Sequence, residues 1–353
     1  MPISAVDTLS LAFQHTRQQL LRPFRMGQWS KLAFVGLLAG ELSSGGGCNF
    51  GVPHIPQRNS GSEHFLSLPF PSVDPTLLAG LIAVLAVLAI VLWLFFLYVN
   101  SVMRFILFDS VVAKQCQIKG RWSHRQRPGL RYFLWQLSLL AASMVGLTIL
   151  VGIPVAFGFA LGWLRNPGEH VLPLVLGGVC LFFLLVAFVI CLLVVTVLSK
   201  DFVVPQMALE GISAFEAWRR LLPMLTQEKG GYAGYLGMKI VMALGAAVMV
   251  GIASVIVFLL LLIPVGGLGV VAVVAGKAAG LSWNLYTITL AVVVGSVALA
   301  VILYVMALIS VPVIVFFPAY SIYFFAARYR PLAAVLYPAP PPPPLEPQPI
   351  TWR

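Results

Sequence analysis

The sequence predicts an all-α fold: a polytopic transmembrane helix bundle of about six spans, both termini cytoplasmic, with an amphipathic interfacial helix at the N-terminus. Three observations carry this. Of 353 residues, 60% are hydrophobic and 9% charged, against about 25% charged in a soluble domain. Several apolar runs reach the roughly 20 residues a helix needs to cross a bilayer. Nineteen of the 22 Lys and Arg residues fall in alternate gaps between those runs.

Residues 1–28 read as the interfacial helix. Ser4 with Asp7 fits a capping box. Val6, Leu9, Phe13, Leu20 and Phe24 recur at spacings of three, four or their sum, while Asp7, Gln14, Arg17 and Gln18 face away. Pro23 interrupts the pattern. Arg22, Arg25 and Lys31 surround Trp29, as at a headgroup boundary. The resulting lipid-interface set is Arg17, Arg22, Arg25, Trp29 and Lys31, with Arg121, Trp122 and Arg125 from a later loop.

Residues 29–330 read as the membrane domain. Trp29–Leu42 is short for a crossing and holds Glu41 near its far end, so a tilted, short or re-entrant helix is expected. Leu32–Gly40 resembles a signal-peptide core, but some 30 residues precede it and no A-x-A site follows, so a retained helix is expected. Residues 43–75 are rich in Gly, Ser and Pro. The strong spans are Thr76–Asn100, Tyr132–Trp163 (bent at Pro154), Leu172–Ser199, Ile240–Ile263 (ended by Pro264 and the following glycines) and Tyr286–Ser310. Residues 270–282 read as re-entrant or interfacial, and Pro312 and Pro318 interrupt 312–325. Residues 331–353 form a proline-rich cytoplasmic tail, of which Pro338–Pro349 is expected to be extended.

Basic residues set the topology. Four lie in the N-terminal segment, seven in the 104–131 loop, five in the 200–239 loop and three at the C-terminus. The other gaps hold one each, Arg58, Arg165 and Lys277. Basic loops stay cytoplasmic, so both termini are expected inside. A further crossing at 312–325 would place Arg328 and Arg330 outside and is disfavoured. Two inner loops share a weak likeness: Phe105 and Trp122 lie 17 apart, Phe202 and Trp218 lie 16 apart.

Four stretches carry a family resemblance: Arg17–Trp29 (RQQLLRPFRMGQW), Arg104–Trp122 (RFILFDSVVAKQCQIKGRW), Asp201–Trp218 (DFVVPQMALEGISAFEAW) and Val313–Phe325 (VIVFFPAYSIYFF). They resemble a bacterial polytopic membrane family of unknown function. That family is distantly similar to the membrane domain fused to some glycerophosphodiester phosphodiesterases. The resemblance implies a bacterial inner membrane and covers about residues 10–330. It implies no phosphodiesterase activity, because no catalytic domain of that kind is in the sequence. Where the pattern has a basic residue before Ala319-Tyr320, this chain has Pro318.

The chemistry sought in the sequence is sparse. A net charge of +11 in loops between spans points to anionic headgroups rather than nucleic acid. His15, His54, His64, His124 and His170 all lie outside the spans, which disfavours a His-ligated membrane haem. Cys48, His54, His64 and Glu63 are irregularly spaced in a glycine-rich loop, so no metal is expected. Four cysteines make no disulfide framework. There is no G-x-S-x-G, H-E-x-x-H or P-loop. No enzyme and no cofactor are therefore expected.

The candidate polar functional residues are Glu41, Asp109 and Asp201. Glu41 leads, because a carboxylate near a membrane-helix interior is costly and is often tied to function. Asp109 and Asp201, flanked by Arg104 and Lys200, read as ion-paired helix ends. Gly36-x-x-x-Gly40 and two similar pairs permit close helix contact. The expected function is a non-enzymatic scaffold, assembly factor or accessory subunit, with other membrane-protein subunits as partners. The alternative is a transporter or lipid-handling protein whose polar cavity would be lined by Glu41, Asn100 and Asn284.

Overall fold

The computed structural model describes residues 6–22, 24–41, 75–164, 166, 168–278, 280 and 285–337. Ser4, Arg58, Arg165, Asn284 and the proline run after Tyr337 lie outside these. Among the described residues the helices are α1 (Asp7–Leu21), α2 (Met26–Leu38), α3 (Pro75–Val112), α4 (Ile118–Ala160), α5 (Val171–Leu198), α6 (Val204–Glu210), α7 (Ala214–Gln227), α8 (Lys229–Ala278), α9 (Leu285–Ala326) and α10 (Arg330–Leu336). A π turn, Ser199–Val203, joins α5 to α6 without a break.

Five helical stretches are long and apolar enough to cross a membrane: Thr76–Val112, Ile118–Ala160, Val171–Glu210, Lys229–Ala278 and Tyr286–Ala326. The chain is thus a multi-pass membrane helix bundle. They overrun the expected spans because the helices continue into the basic loops, which break only at short turns such as 113–117 and 211–213. The expected stop at Pro264 and the separate segment beginning at 270 are corrected: α8 runs through Pro264 and on to Ala278. Likewise α9 runs through Pro312 and Pro318, making 312–325 a helix extension. The physical reason is the solvent. A helix opened at a proline in lipid would leave backbone groups unsatisfied, so continuing past the proline is cheaper. The first expected crossing is also revised. α2 has 13 residues, about 20 Å of helix, shorter than a hydrocarbon core of about 30 Å. At the C-terminal end, Arg330–Leu336 is a short helix, ahead of the proline run expected to be extended.

The packed core sits at one end of the bundle, the end rich in Lys and Arg. Leu32 and Val35 of α2, Phe105 and Ile106 of α3, Phe202 of the π turn, Tyr235 of α8 and Tyr320, Phe324 and Phe325 of α9 are all buried there. Phe202 is central. Its ring lies 5.1 Å from both Tyr235 and Phe325, 5.4 Å from Tyr232 and 6.0 Å from Phe324. Gly36 lets α2 approach α9: a β-carbon there would stand 2.5 Å from Ile314 Cγ2. Both described ends of the chain meet in this region, since α1 touches Tyr323 through His15 and Tyr337 packs near the same ring.

The face that α1 buries is offset from the expected apolar stripe. Thr8, Ala12, His15, Thr16, Gln19 and Leu20 are buried, whereas Val6, Phe13 and Phe24 are exposed. Gln14, Arg17 and Gln18 face away, as expected. The reason lies at the C-terminus of α3, whose last carbonyls have no partner within their own helix. Gln19 Nε2 donates to the Ser110 carbonyl at 3.0 Å. His15 Nε2 lies 2.9 Å from the Val111 carbonyl and Nδ1 lies 3.0 Å from the Tyr323 hydroxyl. A carbonyl only accepts, so Nε2 carries the proton and Nδ1 accepts from Tyr323. Burial, reinforced by the Lys114 charge, holds the His15 pKa below its ordinary value.

Two outcomes are expected. Gly36→Leu lowers stability in detergent by roughly 1–3 kcal/mol through overpacking. Gly152→Leu, with no atom within 4 Å of its β-carbon, leaves the melting point nearly unchanged. Acidification acts on α1. Below about pH 6.5 the undocked imidazole takes up a proton that the docked one resists, so docking weakens as pH falls. Tryptic cleavage at Arg17 should rise between pH 7.5 and 5.5, and His15→Gln should flatten that rise. An unchanged cleavage rate in the parent protein would refute the assignment.

Candidate functional site

The π turn gathers the polar residues. A π turn adds a residue to the helical repeat, and such insertions recur at functional positions. Here four consecutive side chains reach different elements. Ser199 Oγ accepts from the indole N–H of Trp135 at 3.3 Å and of Trp218 at 3.1 Å. Lys200 pairs with Glu41. Asp201 pairs with Lys239 and accepts from the Tyr235 hydroxyl at 2.9 Å. Phe202 fills the aromatic core beneath them.

Glu41 follows the end of α2, where Gly40 turns the chain at φ +72°. Glycine is required there twice over, because a β-carbon would also stand 2.8 Å from Asn100 Nδ2. The turn folds Glu41 back, and the residue is only 3% exposed. Arg104 of α3 lies beside it. It donates to the Tyr132 hydroxyl of α4 at 3.0 Å and to the Ala39 carbonyl at 3.1 Å, capping the C-terminus of α2 with a cation, as the helix dipole favours. Its Nε is buried without a partner. The cluster holds three cations (Arg104, Lys200, Lys239) and two carboxylates (Glu41, Asp201).

Between Glu41, Arg104, Lys200, Asp201, Pro318 and Ser321 lies a cavity of about 30 Å³, room for about one water. From Pro75 to Met103, and again from Val171 to Ser199, 29 residues precede the cluster, about 43 Å of helix. That exceeds the hydrocarbon core, so the cluster lies towards the basic end of the apolar length. The arrangement is a latch between α2, α3, the π turn and α8. It sets no nucleophile beside a base. Among the described residues no group of three His, Cys, Asp or Glu side chains could hold a metal ion. Cys48, His54, Glu63 and His64 lie outside the described residues.

The other sequence candidates resolve differently. Asp109 accepts both prongs of Arg125, at 2.8 and 2.7 Å, and Arg121 lies 3.3 Å away. Arg125 also donates to the Ala208 carbonyl at 2.7 Å, so one guanidinium ties α3, α4 and α6. The expected partner of Asp109, Arg104, serves Ala39 and Tyr132 instead, and Lys200, the expected partner of Asp201, serves Glu41. Of the lipid-interface set, Arg17, Arg22, Arg25 and Lys31 are exposed. Trp29 and Trp122 pack partly on the core, and the Trp29 indole donates to the Leu20 carbonyl at 3.1 Å. Arg121 and Arg125 both reach towards the buried Asp109 carboxylate, Arg125 the more closely.

Sequence reasoning missed a further clamp. Arg328 grips Glu228 through two bonds of 2.8 and 2.7 Å, with its guanidinium carbon 3.8 Å from the Phe324 ring centroid. The Arg328 bonds hold the Glu228 pKa below the usual carboxylate range. A hundred residues separate the partners, and no local pattern signals such a pair.

These features define a multi-pass membrane protein whose helices are latched at one end by ion pairs and stacked aromatics. Residues 3–335 match the family described as Family of unknown function (DUF7544), and the chain belongs to that family. No curated protein and no solved structure matched the chain.

The latch is testable by a double-mutant cycle. Lys200→Met removes the ammonium that pairs with the buried Glu41, at a cost of roughly 3–5 kcal/mol. Glu41→Gln combined with Lys200→Met should cost clearly less than the sum of the two single changes in detergent unfolding. Strict additivity would mean that the pair is uncoupled.

Proposed function

We propose that this protein is a non-enzymatic scaffold or accessory subunit of a membrane complex, seated in a bacterial inner membrane with both termini in the cytoplasm. The distribution of basic residues supports the orientation, because the clustered Lys and Arg lie at the packed end. The resemblance to the bacterial membrane family, and more distantly to the membrane domain of glycerophosphodiester phosphodiesterases, supports the location.

One observation carries the functional reading. Every residue from Thr76 to Trp93 is exposed, so among the described residues nothing covers about five turns of α3. Much of α5, α8 and α9 is likewise exposed away from the latch. A transporter needs helices closed around a polar path at mid-membrane. Here the charged cluster encloses about one water, and the apolar lengths spread their surface outwards. Such surface suits packing against neighbouring membrane helices.

A photo-crosslinking residue at Val84, used in native membranes, should yield a defined adduct with another membrane protein. That protein should also co-purify stoichiometrically in mild detergent. Adducts with lipid alone, together with a lone protein carrying bound solute, would overturn this reading in favour of transport or lipid handling.

A further inference from the structure

A second polar feature lies beyond the latch, at the basic end of the molecule, where α1, the start of α2 and the turn after α3 converge. It is an open cleft of about 430 Å³, lined by Gln18, Gln19, Arg22, Arg25, Gln28 and Lys114 with the rest of the 113–115 turn. That volume falls in the range of small-molecule sites. Three cations line it, and no acid is among the lining residues described.

The cleft has a fixed wall and unused hydrogen-bonding groups. Lys114 is the one non-glycine among the described residues with positive φ, at 55°. A left-handed lysine costs of order 1 kcal/mol and persists only where its surroundings hold it. Those surroundings are explicit: the Lys114 carbonyl accepts from Gln28 Nε2 at 2.9 Å, and Lys114 Nζ donates to Gln18 Oε1 at 2.9 Å. Gln19 is 4% exposed, and its Nε2 is committed to the Ser110 carbonyl. That bond fixes the amide orientation, and Gln19 Oε1 is left buried with no partner. Arg22 and Arg25 are exposed, and neither guanidinium has a partner among the described residues.

Cations without acids select an anion. Arg pairs favour oxyanions that accept from two donors at once. The side-chain amides of Gln18 and Gln28 line the cleft beside the cations, and an amide oxygen there can accept from a donor on the same ligand. We propose that this cleft binds a phosphate ester bearing a hydroxyl or amino group next to the phosphate. Two sources share that chemistry. One is the headgroup of an anionic phospholipid, suited by the exposed Leu21, Phe24 and Met26 nearby. The other is a soluble polyol phosphate.

The test uses the full-length protein in phosphatidylcholine nanodiscs. In one arm, phosphatidylglycerol is added to the nanodiscs and retained lipid is counted by native mass spectrometry. In the other, sn-glycerol 3-phosphate is titrated by calorimetry. One saturable equivalent is expected in at least one arm: retention of phosphatidylglycerol alone identifies the lipid, and binding of glycerol 3-phosphate identifies a soluble ester. Arg22→Gln with Arg25→Gln should weaken binding about thirtyfold. Lys119→Gln with Arg127→Gln removes the same charge outside both the cleft and the lipid-interface set and should leave binding nearly unchanged. Equal weakening by both pairs, or no saturable binding in either arm, would overturn the proposal. All four substituted residues are exposed, so unchanged melting curves are expected for both variants.

Discussion

Lipid tails are as apolar as leucine, so hydrophobic burial gives two membrane helices no reason to associate. Every contact in this protein depends on that constraint. Its helices are joined where polar and aromatic groups can pair, and elsewhere they face outwards. The π turn concentrates the joining. Within four residues it engages two indoles, a carboxylate, an ammonium, a tyrosine and an aromatic cluster. A regular helix turns each successive residue by 100°, and the inserted residue changes which neighbours those side chains meet.

The ion pairs are arranged so that each buried charge has a partner on another element. Glu41 joins α2 to the π turn, Asp201 joins the turn to α8, Asp109 joins α3 to α4, and Glu228 joins the start of α8 to the end of α9. Buried pairs add little net stability over apolar packing, because desolvation offsets their attraction. Breaking one is costly, however, so they specify which helix ends meet. In a bundle of otherwise interchangeable apolar helices, that specificity fixes the arrangement. α1 is held by the same logic. It satisfies the open carbonyls of α3 with amide and imidazole groups, while Phe13 is turned outwards and Ala12 and Leu20 join the core.

Much of this was legible in the sequence, for identifiable reasons. Thr76, Val171 and Leu285 begin apolar helices within a residue or so of where hydropathy alone puts them, because apolar length is a local property. Glu41 stood out because a lone carboxylate at a membrane-helix end is rare. The face of α1 was misjudged because periodicity finds the apolar stripe but not what the stripe will meet. Pro264, Pro312 and Pro318 were read as breaks by a rule drawn from water, where freed backbone groups find solvent.

The sequence by itself determined the class of protein, the placement of its apolar helices and the end of the bundle that carries positive charge, since each follows from composition and spacing along the chain. Only the tertiary structure decided that Lys200 meets Glu41, that Arg125 grips Asp109, that Arg328 reaches across a hundred residues to Glu228, and that a cationic cleft forms beside Gln19. Each of these depends on a carboxylate, amide or carbonyl that must find its partner in space once water is removed, and distance along the chain carries no record of where that partner will be.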